Sequence, residues 1–260
     1  MNRTGLIIAL AIAAVTGLTF GLYPELDLRV ARAFYDVVDA GNNHFAWRIY
    51  PPLMLARDIG LWIGTAIIVP VLVALAIKLV LPKRKMLVPG RAVIFLIATL
   101  VLGPGLLVNV TLKDHWGRSR PIDITQFGGD EHFVPWWDPR GECPNNCSFV
   151  SGDVSGAFWT IAPAALVPAQ YRAVAYGAAL ALGTGMAAFR MMAGGHFISD
   201  VVFAGVFTFL IIWLAHGLIY RWPRTRMSDA AVEGAIERIA MPGYLALCSL
   251  FGKKKSPGGK

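Results

Sequence analysis

Residues 91–112 read RAVIFLIATLVLGPGLLVNVTL, and residues 113–121 read KDHWGRSRP. After Arg91 the first stretch carries no charge, and it is long enough to cross a bilayer as a helix, which takes about 20 apolar residues. The second stretch is polar and sets Lys113, Arg118 and Arg120 at the end of the first. A membrane helix that delivers cations to one surface is the pattern from which the rest of the chain can be read.

The chain has 260 residues, 56% hydrophobic and 15% charged. A soluble domain would carry about a quarter charged residues. Five more apolar runs join the one at 91–112, at Gly5–Tyr23, Gly60–Leu81, Asp153–Ala169, Ala173–Met192 and Phe197–Tyr220. The fourth span in chain order is short and holds Pro163 and Pro168, which membrane helices tolerate when neighbours satisfy the freed backbone. The expected class is all-α: a polytopic membrane protein, a six-transmembrane-helix bundle with interfacial helices. The domain spans 1–226, and 227–260 forms a cytoplasmic tail.

Charge sets the orientation. Lys83, Arg84, Lys85 and Arg91 lie in the second connection. Arg221, Arg224, Arg226, Arg238, Lys253, Lys254, Lys255 and Lys260 lie in the tail, and Arg3 precedes the first span. With these segments cytoplasmic, the positive-inside rule is obeyed. The net charge of +8 thus reads as membrane topology, with no nucleic-acid partner. Met1–Tyr23 lacks a clean small-x-small cleavage site and reads as an uncleaved first helix.

Leu26–Tyr35 has apolar residues at helical spacing and is expected to lie in the outer interface. Trp116, Trp136 and Trp137 read as interfacial aromatics. Met227–Phe251, followed by Lys253–Lys255, reads as an amphipathic helix on the inner surface, attracted to anionic lipid. Lys78 and His216 read as snorkelling and interfacial.

Three polar clusters fall on the outer side: 113–121, then Ser151-Gly152-Asp153, then Arg190 with His196 and Asp200. A carboxylate four residues after an imidazole can hold one ring nitrogen and leave the other as a nucleophile. A phosphate monoester carries about −1.5 to −2 charges, so more than one cation is needed to grip it. Ser148 or Ser151 can cap the following helix, whose free N–H groups suit an anion. Helix anchors, a plain N-cap or a structural His–Asp pair each explain one cluster. None explains why all three share one face.

The spacing Lys113-x6-Arg120-Pro121, Ser151-Gly152 and Arg190-x5-His196-x3-Asp200 resembles the type 2 phosphatidic acid phosphatase superfamily, with its pattern K-x6-R-P, P-S-G-H, S-R-x5-H-x3-D. The resemblance implies a six-helix core, an outward active site, no metal or other cofactor, and a phosphohistidine intermediate. By that carry-over His196 is the nucleophile, and Asp200 orients and polarises it. Lys113, Arg120, Arg190, Ser151 and the Gly152 amide hold the phosphate.

Three positions depart from the pattern: Val150 for proline, Phe189 for serine and Asp153 for histidine. The third matters because that histidine is the family's usual general acid. Asp153 can serve as the acid. It can instead hold Lys113 or Arg120 while His115 or His132 supplies the proton, or activity can be weak or lost.

Cys143 and Cys147 lie on the outer side at a spacing that allows a disulfide in an oxidising compartment. Without nearby ligand histidines they make a poor zinc site. Cys248 reads as a free thiol. A site at the ends of the spans suits a phosphate at headgroup level, hence a phospholipid or lipid A substrate. The stretch Cys147–Asp153, with Phe127-Gly-Gly, is similar to bacterial lipid A phosphatase-like members, which remove the 1- or 4′-phosphate. Undecaprenyl diphosphate and phosphatidylglycerophosphate compete as substrates, and a lipid phosphotransferase would use the same nucleophile. The different-class alternatives are a lipid-binding pseudoenzyme and a small transporter. Transport would call for polar groups near the midplane of broken, paired helices, whereas here the ionisable groups gather at one end.

Overall fold

A computed structural model describes residues 2–35 and 45–251. Among them the chain is helical, and its only β feature is an isolated bridge between Ile124 and Glu131. In order the helices are α1 Arg3–Leu22, α2 Glu25–Arg32, α3 Pro51–Val80, α4 Gly90–His115, α5 Gly152–Phe158, α6 Ile161–Leu166, α7 Arg172–Met192, α8 Ile198–Arg221 and α9 Asp229–Phe251. Four of them, α1, α3, α4 and α8, are long and apolar enough to cross a membrane.

The expected fourth span, 153–169, is two short helices instead of one. Pro163 has no N–H to reach the Trp159 carbonyl, so a tighter bond from Ala162 N takes that oxygen at 2.8 Å. Thr160 Oγ1 donates to Ala157 O at 2.6 Å. Val167 is extended before Pro168, and α6 stops there. The fifth expected span is α7, rich in Ala and Gly. The second begins at Pro51 rather than Gly60, because Pro51 and Pro52 suit the first helical positions. That extension puts Arg57 and Asp58 on a helix.

Polar ties cross the bundle where apolar packing alone would not fix register. Ser155 Oγ meets Thr208 Oγ1 at 2.6 Å, joining α5 to α8. Trp159 Nε1 donates to Thr99 Oγ1 at 3.0 Å, reaching α4. A core of Val108, Phe149, Val154, Met186, Val201 and Phe203 packs α4, α5, α7 and α8 around the three clusters. Trp136 joins this core, 4.5 Å from the Phe203 ring, while Trp137 is half exposed.

Two expectations change. The helix α2 does more than lie in an interface, because Asp27 on its inner face is fully buried. Lys78 does not snorkel either. It is 2% exposed and pairs with Glu233 at 3.3 Å and Glu237 at 3.4 Å, which docks α9 on α3. Arg91 Nε and Nη2 both donate to Asp229 Oδ2, at 3.1 and 2.9 Å. Ile239 and Leu245 on α9 remain exposed. The terminal lysines expected to complete the tail, Lys253–Lys255 and Lys260, lie outside the described residues.

Candidate active site

His196 does not sit on a helix. It lies in the turn between α7 and α8, after Gly194, whose φ of +64° favours glycine. The four-residue spacing to Asp200 therefore does not put both on one helical face. Nδ1 of His196 lies 2.7 Å from the carbonyl oxygen of Ser148. A carbonyl only accepts, so Nδ1 carries the proton and Nε2 keeps its lone pair. The ring is 1% exposed. Burial first, then the charges of Arg190 and Arg120, hold its pKa well below the usual 6.5. The imidazole is thus neutral at neutral pH.

Asp200, expected to orient His196, bonds elsewhere. It accepts from Arg118 Nη1 at 2.5 Å, from Ser148 Oγ at 2.6 Å and from Phe197 N at 2.9 Å. As the third residue of α8 it satisfies an N–H just before the helix. Its link to His196 runs through Ser148, whose hydroxyl it holds and whose carbonyl faces the imidazole. Ser148 is therefore no helix cap. Ser151 occupies the capping position but makes no side-chain capping bond.

Arg118 is not one of the phosphate-facing cations. It is fully buried between Asp200 and Asp27, with Asp27 Oδ2 at 2.8 Å and the Phe197 ring 4.5 Å away. Burial works against its charge, and Asp200 and Asp27 overcome that, so its pKa rises. Asp27 also accepts from Ser199 N and Oγ. This network fastens α2 to the start of α8.

The remaining cations converge near His196. A Cβ on Gly152 would lie 2.6 Å from Asn109 Oδ1, so glycine lets α5 begin this close to Asn109, one turn before Lys113, whose Nζ would be 3.6 Å from that Cβ. A Cβ on Gly195 would fall 2.6 Å from Arg190 Nη2, which places that guanidinium against the backbone beside His196. Arg120 donates from Nε and Nη2 to the Asn146 carbonyl at 3.1 and 2.5 Å. Burial pulls its pKa down, with Asp123 opposing. Arg48, Arg57, Arg120, Arg190 and Gly195 line a cleft of about 330 Å³. Among the described residues, Ser151 Oγ and Arg190 Nε are buried without a hydrogen-bond partner.

Asp153 holds neither Lys113 nor Arg120. It accepts from Arg57 Nε at 2.8 Å and lies 3.4 Å from Arg190 Nε. His115 turns its Nδ1 to carbonyls of its own helix, and the exposed His132 pairs with Glu142. Neither lines the cleft. Cys143 and Cys147 form a disulfide, and Cys248 is free and exposed. Among the described residues no three His, Cys, Asp or Glu side chains are grouped to hold a metal.

The family described as the PAP2 superfamily matches residues 92–227, which takes in all three clusters. The chain belongs to the PAP2 superfamily. A Francisella tularensis subsp. novicida (strain U112) protein named lipid A 4′-phosphatase is 36% identical over 227 residues, covering 85% of this chain and 98% of the relative. Proteins of the same name from Rhizobium leguminosarum and Rhizobium etli are 41% and 40% identical over 119 residues, 46% of this chain and about half of each relative. No solved structure matches the chain. As a PAP2 superfamily member with long apolar helices, the protein is a membrane lipid phosphatase.

Arg48 and Arg57 were not singled out from the sequence of this PAP2 chain. A signal for Arg57 was present, because Arg57-Asp58 is a charged pair at the N-terminal end of an apolar run, and the three clusters likewise lie at the ends of such runs.

Proposed function

We propose that this protein removes a phosphate monoester from lipid A, at the 4′ position, on the outer face of a bacterial inner membrane. The observation that carries the chemistry is a buried, neutral imidazole under the charges of Arg190, Arg120 and Lys113, with the unpaired Ser151 hydroxyl at the start of α5. The near full-length similarity to a protein named lipid A 4′-phosphatase favours that substrate over undecaprenyl diphosphate, phosphatidylglycerophosphate or phosphatidate.

In this reading Nε2 of His196 attacks phosphorus as the P–O bond to the sugar breaks. The leaving oxygen takes its proton from a water molecule as it departs. Water then attacks the phosphohistidine, releasing inorganic phosphate and restoring the imidazole. Lys113, Arg120 and Arg190 stabilise the charge on the equatorial oxygens, where catalysis of phosphoryl transfer chiefly lies. Ser151 Oγ and the Gly152 amide at the start of α5 donate to the same oxygens. Ser148 holds the tautomer of His196, and Asp200 holds Ser148.

The proposed topology has six crossings. The helices α1, α3, α4, α7 and α8 supply five, and the pair α5–α6 completes the set. Both termini are cytoplasmic and the active site is periplasmic. Residues 1–226 form the membrane domain, and 227–260 the basic, amphipathic tail on the inner surface.

The test is phosphate release by purified protein from lipid A carrying both phosphates, with the other three lipids in parallel. The expected result is release from the 4′ position of lipid A and none from His196→Ala. Activity that survives His196→Ala removes the mechanism. Preference for another lipid in the panel removes the substrate assignment.

A further inference from the structure

We infer that Arg57 is a further phosphate-binding residue of this site and that Asp153 is the residue that positions it. The inference rests on the phosphatase reading above and adds to the set the motifs supply.

Arg57 stands 96 residues before Asp153 in the chain, on α3, yet its Nε donates to Asp153 Oδ2 at 2.8 Å. The same oxygen lies 3.4 Å from Arg190 Nε. One carboxylate oxygen in the first turn of α5 thus ties guanidiniums from α3 and α7 together. Both guanidiniums line the cleft that also holds Arg48 and Arg120. Arg190 lies against Gly195, next to His196. A phosphate delivered to His196 therefore enters beside both members of the tie.

The pair is a poor stability device. The Arg57 and Asp153 side chains are 39% and 23% exposed, and ion pairs with such access to solvent contribute little to folding. It is a good binding device. A free arginine loses much rotamer freedom when it grips a ligand, whereas one already held through Nε loses less. Asp153 holds Arg57 through Nε before substrate arrives, Asp58 lies 3.4 Å from its Nη1, and Arg57 stays on the cleft wall.

The same geometry speaks to the position where the superfamily pattern has histidine. A carboxylate that accepts from one guanidinium and neighbours another has little call to carry a proton. Asp153 here exchanges a proton-donor position for an arginine anchor. The site then grips its phosphate with one more cation than Lys113, Arg120 and Arg190 supply.

The experiment uses full-length protein in detergent, with lipid A as substrate and inorganic phosphate as product inhibitor. Wild type is compared with Arg57→Ala, Arg57→Lys, Asp153→Asn and the double variant Arg57→Ala/Asp153→Asn. Each must match wild type in size-exclusion profile and helical content. Removing a charge-assisted contact should raise KM and the phosphate inhibition constant about tenfold or more in Arg57→Ala. Arg57→Lys should recover part of the loss. Asp153→Asn should shift the same two constants, and the double variant should be no worse than Arg57→Ala, as for residues acting as a unit. The alkaline limb of the pH–rate profile, where a general acid would lose its proton, should be the same in Asp153→Asn and wild type.

Arg57→Ala within twofold of wild type in both constants overturns the inference, and so do additive losses in the double variant. A third contrary result is a kcat loss in Asp153→Asn on lipid A that vanishes on 4-nitrophenyl phosphate, whose leaving group needs no acid. That outcome returns Asp153 to proton donation. If wild type releases phosphate from no lipid, the phosphatase reading fails separately. Binding of inorganic phosphate to wild type and Arg57→Ala, by calorimetry, then decides the role of Arg57.

Discussion

Ser148 presents its carbonyl oxygen to Nδ1 of His196 at 2.7 Å, while its hydroxyl donates to Asp200 at 2.6 Å. The carboxylate thus reaches the imidazole at one remove, by fixing the backbone that fixes the ring. Ser148→Ala keeps the carbonyl and removes the hydroxyl. The expected result is a fall in kcat of about tenfold with KM nearly unchanged, since a geometric loss near the nucleophile acts mainly on turnover. Steady-state phosphate release measures both. A Ser148→Ala enzyme with full kcat would show that the link from Asp200 does not matter.

Arg118 and Arg120 are two residues apart, and the structure gives them opposite roles. Arg118→Met would leave Asp27 and Asp200 buried without their counter-charge, and stranding a buried charge costs about 3–5 kcal/mol. The expected outcome is protein that fails to accumulate or unfolds far below wild type. Arg120→Met keeps that network. It should fold with a melting temperature within a few degrees of wild type and lose most turnover. Thermal unfolding in detergent beside phosphate release separates the two; equal stability of both variants would contradict the network.

Composition and apolar length made the helical membrane class legible, and motif spacing placed Lys113, Arg120, Ser151, Gly152, Arg190 and His196 in one neighbourhood. Side-chain pairing was not legible. The spacing from His196 to Asp200 looked helical, yet the helix starts only at Ile198, so geometry one turn apart did not apply. Arg118 matched Arg120 in chemistry, and only burial distinguishes them. Arg57 and Asp27 lie far from the clusters in sequence, and no local pattern announces a contact across such a separation. The broken 153–169 segment carried its cause in Pro163, but proline tolerance in membrane helices hid the consequence.

The disulfide closes a short loop next to the site. Arg120 grips the carbonyl of Asn146 inside that loop, and Cys147 N donates to Lys113 O at 2.8 Å. A loop this short constrains the unfolded chain by roughly 2 kcal/mol in the entropy account. Replacing both cysteines by serine should lower the melting temperature modestly. Activity should fall several-fold through a rise in KM, because Arg120 loses a fixed partner. Reductant should reproduce the change in wild type and leave the double serine variant unaffected. A reductant effect of equal size in both would place its cause elsewhere.

His196 makes a prediction in stability as well as rate. Its folded pKa lies well below 6.5 because burial and then Arg190 and Arg120 disfavour the imidazolium. Above pH 6.5 both folded and unfolded forms of this residue are neutral, and it adds no pH dependence. Below 6.5 the unfolded chain takes up a proton that the folded chain refuses. Stability therefore falls with pH, by up to about 1.4 kcal/mol per unit, until the folded pKa is reached. Rate is a poorer probe, since the phosphate monoester itself titrates near pH 6. Melting temperature followed from pH 7.5 to 5 should drop more steeply in wild type than in His196→Gln, which cannot titrate. Parallel curves would mean that the imidazole ionises as freely in the folded protein as in the unfolded chain, and a neutral nucleophile would then have to be sought above pH 6.5.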